Sequence, residues 1–487
     1  MNLNDAFELS SFVNGEWIRG EGELVTSVNP ARPSQIVSSY RTVTDTTVEN
    51  ALCAGASAQT SWQTTPSHVR AQILRATADL LEERLQNIAQ ELSAEQGKPI
   101  SVCRGEVGRA AAIFRYFSHD ADTATGAMYA SPRAGERIFT DRVPVGQVLC
   151  ITPWNVPLGI PAWKIAPALA HGNTVLWKPS DVTPLIAVRL VEALNDAGLP
   201  AGVLNLILGH PEQAERALRD PRIAACTFTG STAVGRHLIK IGAEHHTDVL
   251  AEMGGKNAAI VLADADLEWA ADQIVSAAMG WSGQRCTATS RIVVETSVSD
   301  EFTSLLLERV EKLIIGDPAD TTTDIGPVST ERQFDSIASL LATGVSQGAR
   351  ILTGGIPQQR DDSDGFFIAP TVLDLASPDN VLFSKEIFGP VAVITTADSA
   401  REALTLANEG EYGLSGSIFT SSIERAFVLM ESFEVGVLHI NSESCGADTH
   451  VPFGGFNASG THHKEMGEQA RDFYTKIRTV YLRGGRP

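Results

Sequence analysis

The chain reads as an α/β protein built on open, largely parallel sheets, and three features of the sequence carry that reading. Short β-rich runs at 148–152, 174–177, 203–208, 226–228 and 248–251 alternate with helical segments such as 185–197. A second alternating block runs from 258–262 through 292–295 and 391–395 to 437–440, with helices such as 300–313 and 423–433 between. The tail from Ile477 to Leu482 alternates apolar and polar residues like one more strand.

Before the first strand run, Ile73, Leu80, Leu81, Leu85, Ile88 and Leu92 recur at helical spacing over 67–97, and Gly97-Lys98-Pro99 supplies a stop. A second helix is expected over 106–119. The most apolar stretch, 143–170, carries Pro144, Pro153, Pro157, Pro161 and Pro167 together with Asn155 and Lys164. No ordinary membrane helix of that length holds such residues, so it reads as buried strands and loops. The Gly- and Asp-rich stretch 354–365 reads as a surface loop, and no internal repeat is visible.

With 487 residues, 43% of them hydrophobic, the chain is able to bury a full core, and its length points to two to four domains. A net charge of −20 repels phosphate backbones and anionic lipid at long range, which argues against nucleic acid and membrane surfaces as partners. No basic residue precedes Arg19 and no apolar leader follows Met1, so a cytoplasmic location is expected. Cysteines at 53, 103, 150, 226, 286 and 445 form no CxxC pair and no metal-ligand spacing, so neither disulfides nor a metal site are expected.

Five segments carry possible chemistry. Cys286, in Gly280-Trp-Ser-Gly-Gln-Arg-Cys-Thr, follows a Gly283-Gln284 turn that could hold a thiol at a cleft, although a lone cysteine is more often core. Glu252, in Ala251-Glu-Met-Gly-Gly-Lys-Asn257, ends a strand beside two glycines that admit close backbone approach, or is simply a solvated carboxylate. Asn155, in the proline-bracketed turn Thr152-Pro-Trp-Asn-Val-Pro, offers a side-chain amide to a developing oxyanion, or caps its own turn. Thr229-Gly230-Ser231-Thr232-Ala-Val-Gly235 follows a strand and opens a helix, exposing N–H groups to a pyrophosphate, or is merely a turn. Trp177-Lys178-Pro-Ser180-Asp181 places a lysine and a carboxylate at a strand end, suited to ribose hydroxyls or simply solvated.

In order and over nearly the whole chain, these segments resemble the NAD(P)-dependent aldehyde dehydrogenase superfamily. Glu386-Ile-Phe-Gly-Pro390, Gly413-Leu-Ser-Gly416 and Pro452-Phe-Gly-Gly455 add to the likeness. The resemblance implies the aldehyde dehydrogenase fold: a Rossmann-like cofactor domain (1–124 and 144–253), an α/β catalytic domain (254–440), and a small β oligomerisation arm with the C-terminal segment (125–143 and 441–487). It implies Cys286 as nucleophile, Glu252 as general base, and Asn155 with the Cys286 N–H as oxyanion hole. It places Thr152, Pro153, Trp154, Lys178, Ser180, Asp181, Gly230, Ser231, Met253, Glu386 and Phe388 around the cofactor, and it implies a homodimer or homotetramer. Asp181 stands where the family usually has Glu; a carboxylate there favours NAD over NADP, and the shorter side chain leaves NADP open. Asn457 replaces the family's usual Lys after Pro-Phe-Gly-Gly-x.

Within the family, Glu95-Gln-Gly-Lys-Pro99, Cys286-Thr-Ala-Thr-Ser-Arg291 and the tail from His463 to Lys476 resemble 2-oxoglutarate-semialdehyde (2,5-dioxopentanoate) dehydrogenases. Such a substrate carries a distal carboxylate and calls for a cation, for which Arg285 is the candidate; the alternative is an outward-facing ion pair. Gly280 replaces the arginine expected six residues before the nucleophile of a succinic-semialdehyde enzyme. Trp163, Trp281 and Phe453, with Thr287, could equally line an apolar tunnel for an aromatic aldehyde. A CoA-acylating enzyme would not need Glu252, and a non-catalytic scaffold would not need nucleophile, base and amide together.

Overall fold

The computed structural model describes residues 6–123, 126–357, 365–375 and 377–485. Two seven-stranded sheets form its frame. In the first, Asp248–Glu252, Ile223–Thr229, Gln147–Ile151, Val175–Lys178 and Leu204–Leu206 lie side by side and parallel, in that order. Antiparallel strands Ser11–Val13 and Glu16–Ile18 extend its far edge. Such strands, covered on both faces, are buried throughout: Val148, Leu149, Val175, Leu176 and Cys226 are all at most 1% exposed.

The second sheet runs Arg350–Thr353, Thr371–Asp374, Val391–Ala397, Thr289–Glu295, Asn257–Val261, Ser415–Phe419, Val437–Ile440, parallel except at its first pair. A third, antiparallel sheet joins Thr475–Arg483 to Glu136–Pro144 along nine residue pairs and then to Met128–Tyr129. Its Met128, Tyr129, Ile477, Tyr481 and Leu482 are exposed apolar side chains.

The structure departs from the sequence expectations in four places. The stretch 143–170 is not strands and loops alone: after Gln147–Ile151 it forms the wholly buried helix Gly159–Ala170. Pro161 sits in the first turn, where its missing N–H has no intrahelical partner to lose, while Pro167 lies near the other end. The segment 67–97 is two helices, Ser67–Glu83 and Leu85–Gln96, broken at Arg84, whose φ of −93° and ψ of 8° interrupt the ladder. The stop stands as read, Gly97 capping the second of them at φ +90°. The helix Asp45–Thr64 and the strand Ser415–Phe419 had no sequence expectation. Of the loop expected over 354–365, residues 358–364 lie outside the described residues, as do 124 and 125 at the expected domain boundary. Among the described residues, no helix is long and apolar enough to cross a membrane.

Candidate active site

The strand order of the first sheet reverses between Gln147–Ile151 and Ile223–Thr229: later strands run outward from one side, then from the other. Loops leaving such a switch point diverge and open a crevice at the carboxyl edge. The segment 152–155 and the turn Gly230-Ser231 leave from either side of it. The second sheet presents its amino edge, so Asn257, the Cys286 loop before Thr289–Glu295, and Glu386 before Val391–Ala397 belong to one region.

Cys286 is half-buried and lines a cavity of about 360 Å³ together with Asn155, Trp163, Trp281, Arg285, Thr287 and Phe453. The turn before it is built by Trp281, Ser282 and Gly283, all left-handed at φ +57°, +55° and +66°. Two consecutive non-glycine residues in that region are costly and persist only where the surroundings impose them. At Gly283 a Cβ would lie 1.9 Å from the Gly389 carbonyl oxygen, so only glycine fits. After the turn, Asn257 Nδ2 donates to the carbonyls of Cys286 and Ala288, both at 2.8 Å, while its Oδ1 accepts from Ser415 N at 3.0 Å. Burial pushes the Cys286 thiol up to about 12, with Glu386, Cys445 and Glu252 adding to the rise.

Asn155 is buried, and its Nδ2 donates to the Gln284 carbonyl at 3.0 Å, which leaves one amide hydrogen uncommitted. Its own carbonyl accepts from Lys98 Nζ at 2.9 Å, and Lys98 forms a fully buried ion pair with Glu106. The other Glu106 oxygen takes the N–H groups of Leu158 and Gly159 at 2.9 and 3.2 Å, fixing the start of the helix that carries Trp163. Trp163 and Phe453 face each other at 5.8 Å between ring centres. Arg285 forms no ion pair among the described residues; its Nη2 donates to the Ser276 and Ala277 carbonyls at 2.6 and 3.3 Å, and its guanidinium lies over Trp281.

Glu252 does not line that cavity. It ends its strand in a closed pocket, 3% exposed, where Oε2 accepts the Gly455 N–H at 3.3 Å and Oε1 has no partner among the described residues. A Cβ on Gly454 would stand 2.5 Å from Oε1, so the pocket needs that glycine. Burial holds the Glu252 carboxyl well above the usual range, Glu465 raises it further, and Lys464 and Lys164 oppose the rise. Glu465 is itself buried against Lys164 and accepts from Thr227 Oγ1 at 3.1 Å.

Along the crevice, Trp177 Nε1 donates to Thr152 Oγ1 at 2.9 Å and sets the strand exit before Pro153 and Trp154. Lys178 is buried and makes no ion pair among the described residues; burial lowers its pKa, while Asp181 works the other way. Ser180 Oγ accepts the Val182 N–H at 3.2 Å, and Asp181 is exposed. Ser231 stands at the N-terminus of the helix Thr232–His245 without a side-chain cap, so the first-turn N–H groups face outward. The Gly230 N–H is taken by the Glu252 carbonyl at 3.1 Å, and Met253, bonded to the Ser459 carbonyl at 2.8 Å, packs so that a Cβ on Gly235 would meet its sulfur at 2.5 Å. Glu386 Oε1 accepts the Gly255 N–H at 3.1 Å, and burial pushes its carboxyl up to about 7. Phe388, at φ +56°, meets Trp154 edge-on at 5.5 Å. A helix N-terminus, a desolvated lysine and two facing aromatic rings along one crevice fit an anionic dinucleotide.

The aldehyde dehydrogenase family model matches residues 17–480. The chain belongs to that family. It is 38% identical over 476 residues to the alpha-ketoglutaric semialdehyde dehydrogenase of Bacillus subtilis, covering 97% of this chain and 98% of that protein. It is 39% identical over 472 residues to the 2,5-dioxopentanoate dehydrogenase of Saccharolobus solfataricus, covering 96% and 98%. The crystal structure of an NAD-dependent aldehyde dehydrogenase from Sinorhizobium meliloti superposes with a TM-score of 0.96 at 32% identity, over 100% of this chain and 96% of that one. The protein is thus an NAD(P)-dependent oxidoreductase that converts an aldehyde to a carboxylic acid.

Several residues of this aldehyde dehydrogenase site escaped the sequence reading. Asn257 ends the run Glu252-Met-Gly-Gly-Lys-Asn257, and nothing in that run signals that its side chain clamps the Cys286 carbonyl. Lys98 and Glu106 are eight residues apart on either side of a helix start, and that spacing alone gives no signal of a buried pair. Arg109 is one arginine on an amphipathic helix, and Cys445 one cysteine in a loop; both line the Cys286 cavity.

Proposed function

We propose that Cys286 is the nucleophile, Glu252 the water-activating base, and the Asn155 amide with the Cys286 N–H the oxyanion hole of an enzyme acting on 2,5-dioxopentanoate. The observation that carries the reading is the cavity that gathers Cys286 and Asn155 next to the separate, desolvated pocket of Glu252. The Cys286 thiolate adds to the aldehyde carbon, and the developing oxyanion takes the two N–H donors. Bound NAD(P) supplies the hydride acceptor and, when oxidised, a positive charge beside the thiol. Loss of hydride leaves a thioester on Cys286. Glu252, once ionised, takes a proton from water, the hydroxide attacks the thioester carbon, and the acid departs as the sulfur is freed.

Trp154, Lys178 and Asp181 would hold the adenosine, Ser231 the pyrophosphate, and Glu386 with Phe388 the nicotinamide riboside, with Thr152, Pro153, Ser180, Gly230 and Met253 shaping the walls. The exposed Asp181 carboxylate favours NAD, since it accepts a ribose 2′-OH and repels a 2′-phosphate. The 2,5-dioxopentanoate reading rests on the names of the two relatives above.

The domain assignment is 1–124 with 144–253 for the cofactor, 254–440 for catalysis, and 125–143 with 441–487 for the arm. Exposed Met128, Tyr129, Ile477, Tyr481 and Leu482 on one small sheet support a homodimer or homotetramer through it. A cytoplasmic location agrees with six free cysteines. Gel filtration with light scattering tests the assembly, and a 52.0 kDa monomer would refute it.

The deciding experiment is initial-rate NADH and NADPH formation with 2,5-dioxopentanoate, succinic semialdehyde, short alkanals and benzaldehydes, with Cys286→Ala as control. The highest kcat/KM for 2,5-dioxopentanoate and a dead variant are expected. Preference for a benzaldehyde would overturn the substrate, and an active Cys286→Ala the nucleophile.

A further inference from the structure

The Cys286 cavity is walled by two helices that Glu106 ties together. On Ile100–Asp120, residues Val102, Gly105, Glu106 and Arg109 follow one another at helical spacing and form a single face toward the cavity. On Gly159–Ala170, Ile160 and Trp163 do the same, and the N–H of Gly159 is bonded to Glu106. Most of the lining is apolar. Two groups on these faces stand out: Arg109 Nη2 and Trp163 Nε1 are both buried, and neither has a hydrogen-bond partner among the described residues. Arg109 makes no ion pair among the described residues; Asp448, itself exposed, is the acid that acts on it from a distance.

A buried donor left unpaired is destabilising, and a charged one more so. A chain has little reason to place two such donors around one cavity unless something that enters it completes them. Glu106 in the same wall is satisfied by Lys98. Arg285 also keeps one buried donor, Nε, without a partner, but its Nη2 is held by main-chain carbonyls and its guanidinium lies over Trp281, whereas Arg109 makes no hydrogen bond among the described residues.

We propose that Arg109 and the Trp163 indole N–H receive the 2-oxo-carboxylate end of the substrate, so that Arg109 rather than Arg285 sets the preference for an anionic aldehyde. This rests on the 2,5-dioxopentanoate reading above. The guanidinium supplies charge and donors to the carboxylate, and the indole supplies one donor to the carboxylate or the adjacent 2-oxo oxygen. The apolar lining between them and Cys286 carries the methylenes. Both are specificity residues: neither has a part in thiolate addition, hydride loss or hydrolysis.

The test is the ratio of kcat/KM for 2,5-dioxopentanoate to that for pentanal, a five-carbon aldehyde without the anion, together with inhibition by glutarate, a five-carbon dicarboxylate that cannot react. In Arg109→Gln the ratio should fall about 10- to 100-fold, mainly through KM, and competitive inhibition by glutarate should weaken by a similar factor. Arg109→Lys should recover part of the ratio. Trp163→Phe, which keeps the ring and removes the donor, should lower it about 3- to 10-fold. Arg285→Gln should slow both aldehydes alike, because it disturbs the nucleophile loop. An unchanged ratio and unchanged glutarate inhibition in Arg109→Gln overturn the proposal while the substrate reading stands. A wild-type enzyme that prefers pentanal removes the substrate reading. The glutarate arm then decides alone, loss of inhibition in Arg109→Gln supporting the anion site and its retention refuting it.

Discussion

Asn257 holds the main chain of Cys286: its amide nitrogen reaches the Cys286 carbonyl and the Ala288 carbonyl at 2.8 Å each, while its oxygen takes the Ser415 N–H. One side chain thereby joins three neighbouring strands of the second sheet at the edge where the thiol stands. Asn257→Ala would leave two carbonyls and one N–H unpaired. We expect a stability loss of about 1–3 kcal/mol, read as a lower melting temperature. A kcat reduction of about 100-fold should accompany it from misplacement of the nucleophile, with cofactor affinity changed far less. Unaltered kcat would show that the clamp has no bearing on catalysis.

The resting thiol is held near pKa 12 by burial and neighbouring carboxyls. Below such a value the thiolate fraction grows about tenfold for each pH unit. Alkylation of cofactor-free enzyme by iodoacetamide, followed at Cys286 by mass spectrometry, should therefore rise across pH 7 to 9 without levelling. A plateau within that window would contradict the desolvated resting state.

Glu252 lies in its own pocket, where burial and Glu465 raise its pKa. Glu252→Gln preserves the shape and removes the proposed base. Stopped-flow mixing with aldehyde should give a burst of about one NADH per site, after which turnover is slower than wild type by about 100- to 10,000-fold. Absence of the burst would place Glu252 before thioester formation instead of after it.

Lys256 is buried without a partner among the described residues, and burial with the Arg291 charge lowers its pKa to about 7. A lysine depressed in the fold adds least to stability when it must be charged, so stability is lost as pH falls from the unfolded value near 10.4 through 7. Lys256→Met should melt higher than wild type, with the advantage greatest near pH 6 and shrinking toward pH 10. An advantage that grows with pH would reverse the sign and disprove the argument.

Gly283 is pinned at φ +66° with the Gly389 carbonyl where a Cβ would go. Gly283→Ala should therefore destabilise by more than the roughly 1–2 kcal/mol of a left-handed alanine alone. Thermal melting beside Gly105→Ala, at a position with open space, checks it.

How much of this was legible in the sequence depended on which residues set the local structure. Apolar runs such as 148–152 and 391–395 are buried on both faces, and composition alone marks them. Ser415–Phe419 is equally buried but begins Ser-Gly-Ser, small residues that carry little strand preference; the neighbouring strands impose its form. The helix Gly159–Ala170 hid behind its prolines, and the Arg84 break behind an unbroken apolar period. In the site, the turns bearing Cys286, Glu252 and Asn155 stand out by their glycines and prolines. The contacts of Lys98 and Asn257 and the place of Arg109 in the Cys286 cavity do not, because each depends on residues that only the fold brings near.

The order in which the polypeptide leaves the ribosome gives the Glu252 pocket a further meaning. Its walls, Gly454, Gly455, Lys464 and Glu465, are made some two hundred residues after Glu252 itself, the Gly455 contact spanning 203 positions. Arg142 waits still longer for Thr475, 333 positions on. Enclosure of Glu252 accordingly waits for the C-terminal segment, which also supplies Phe453 to the Cys286 cavity.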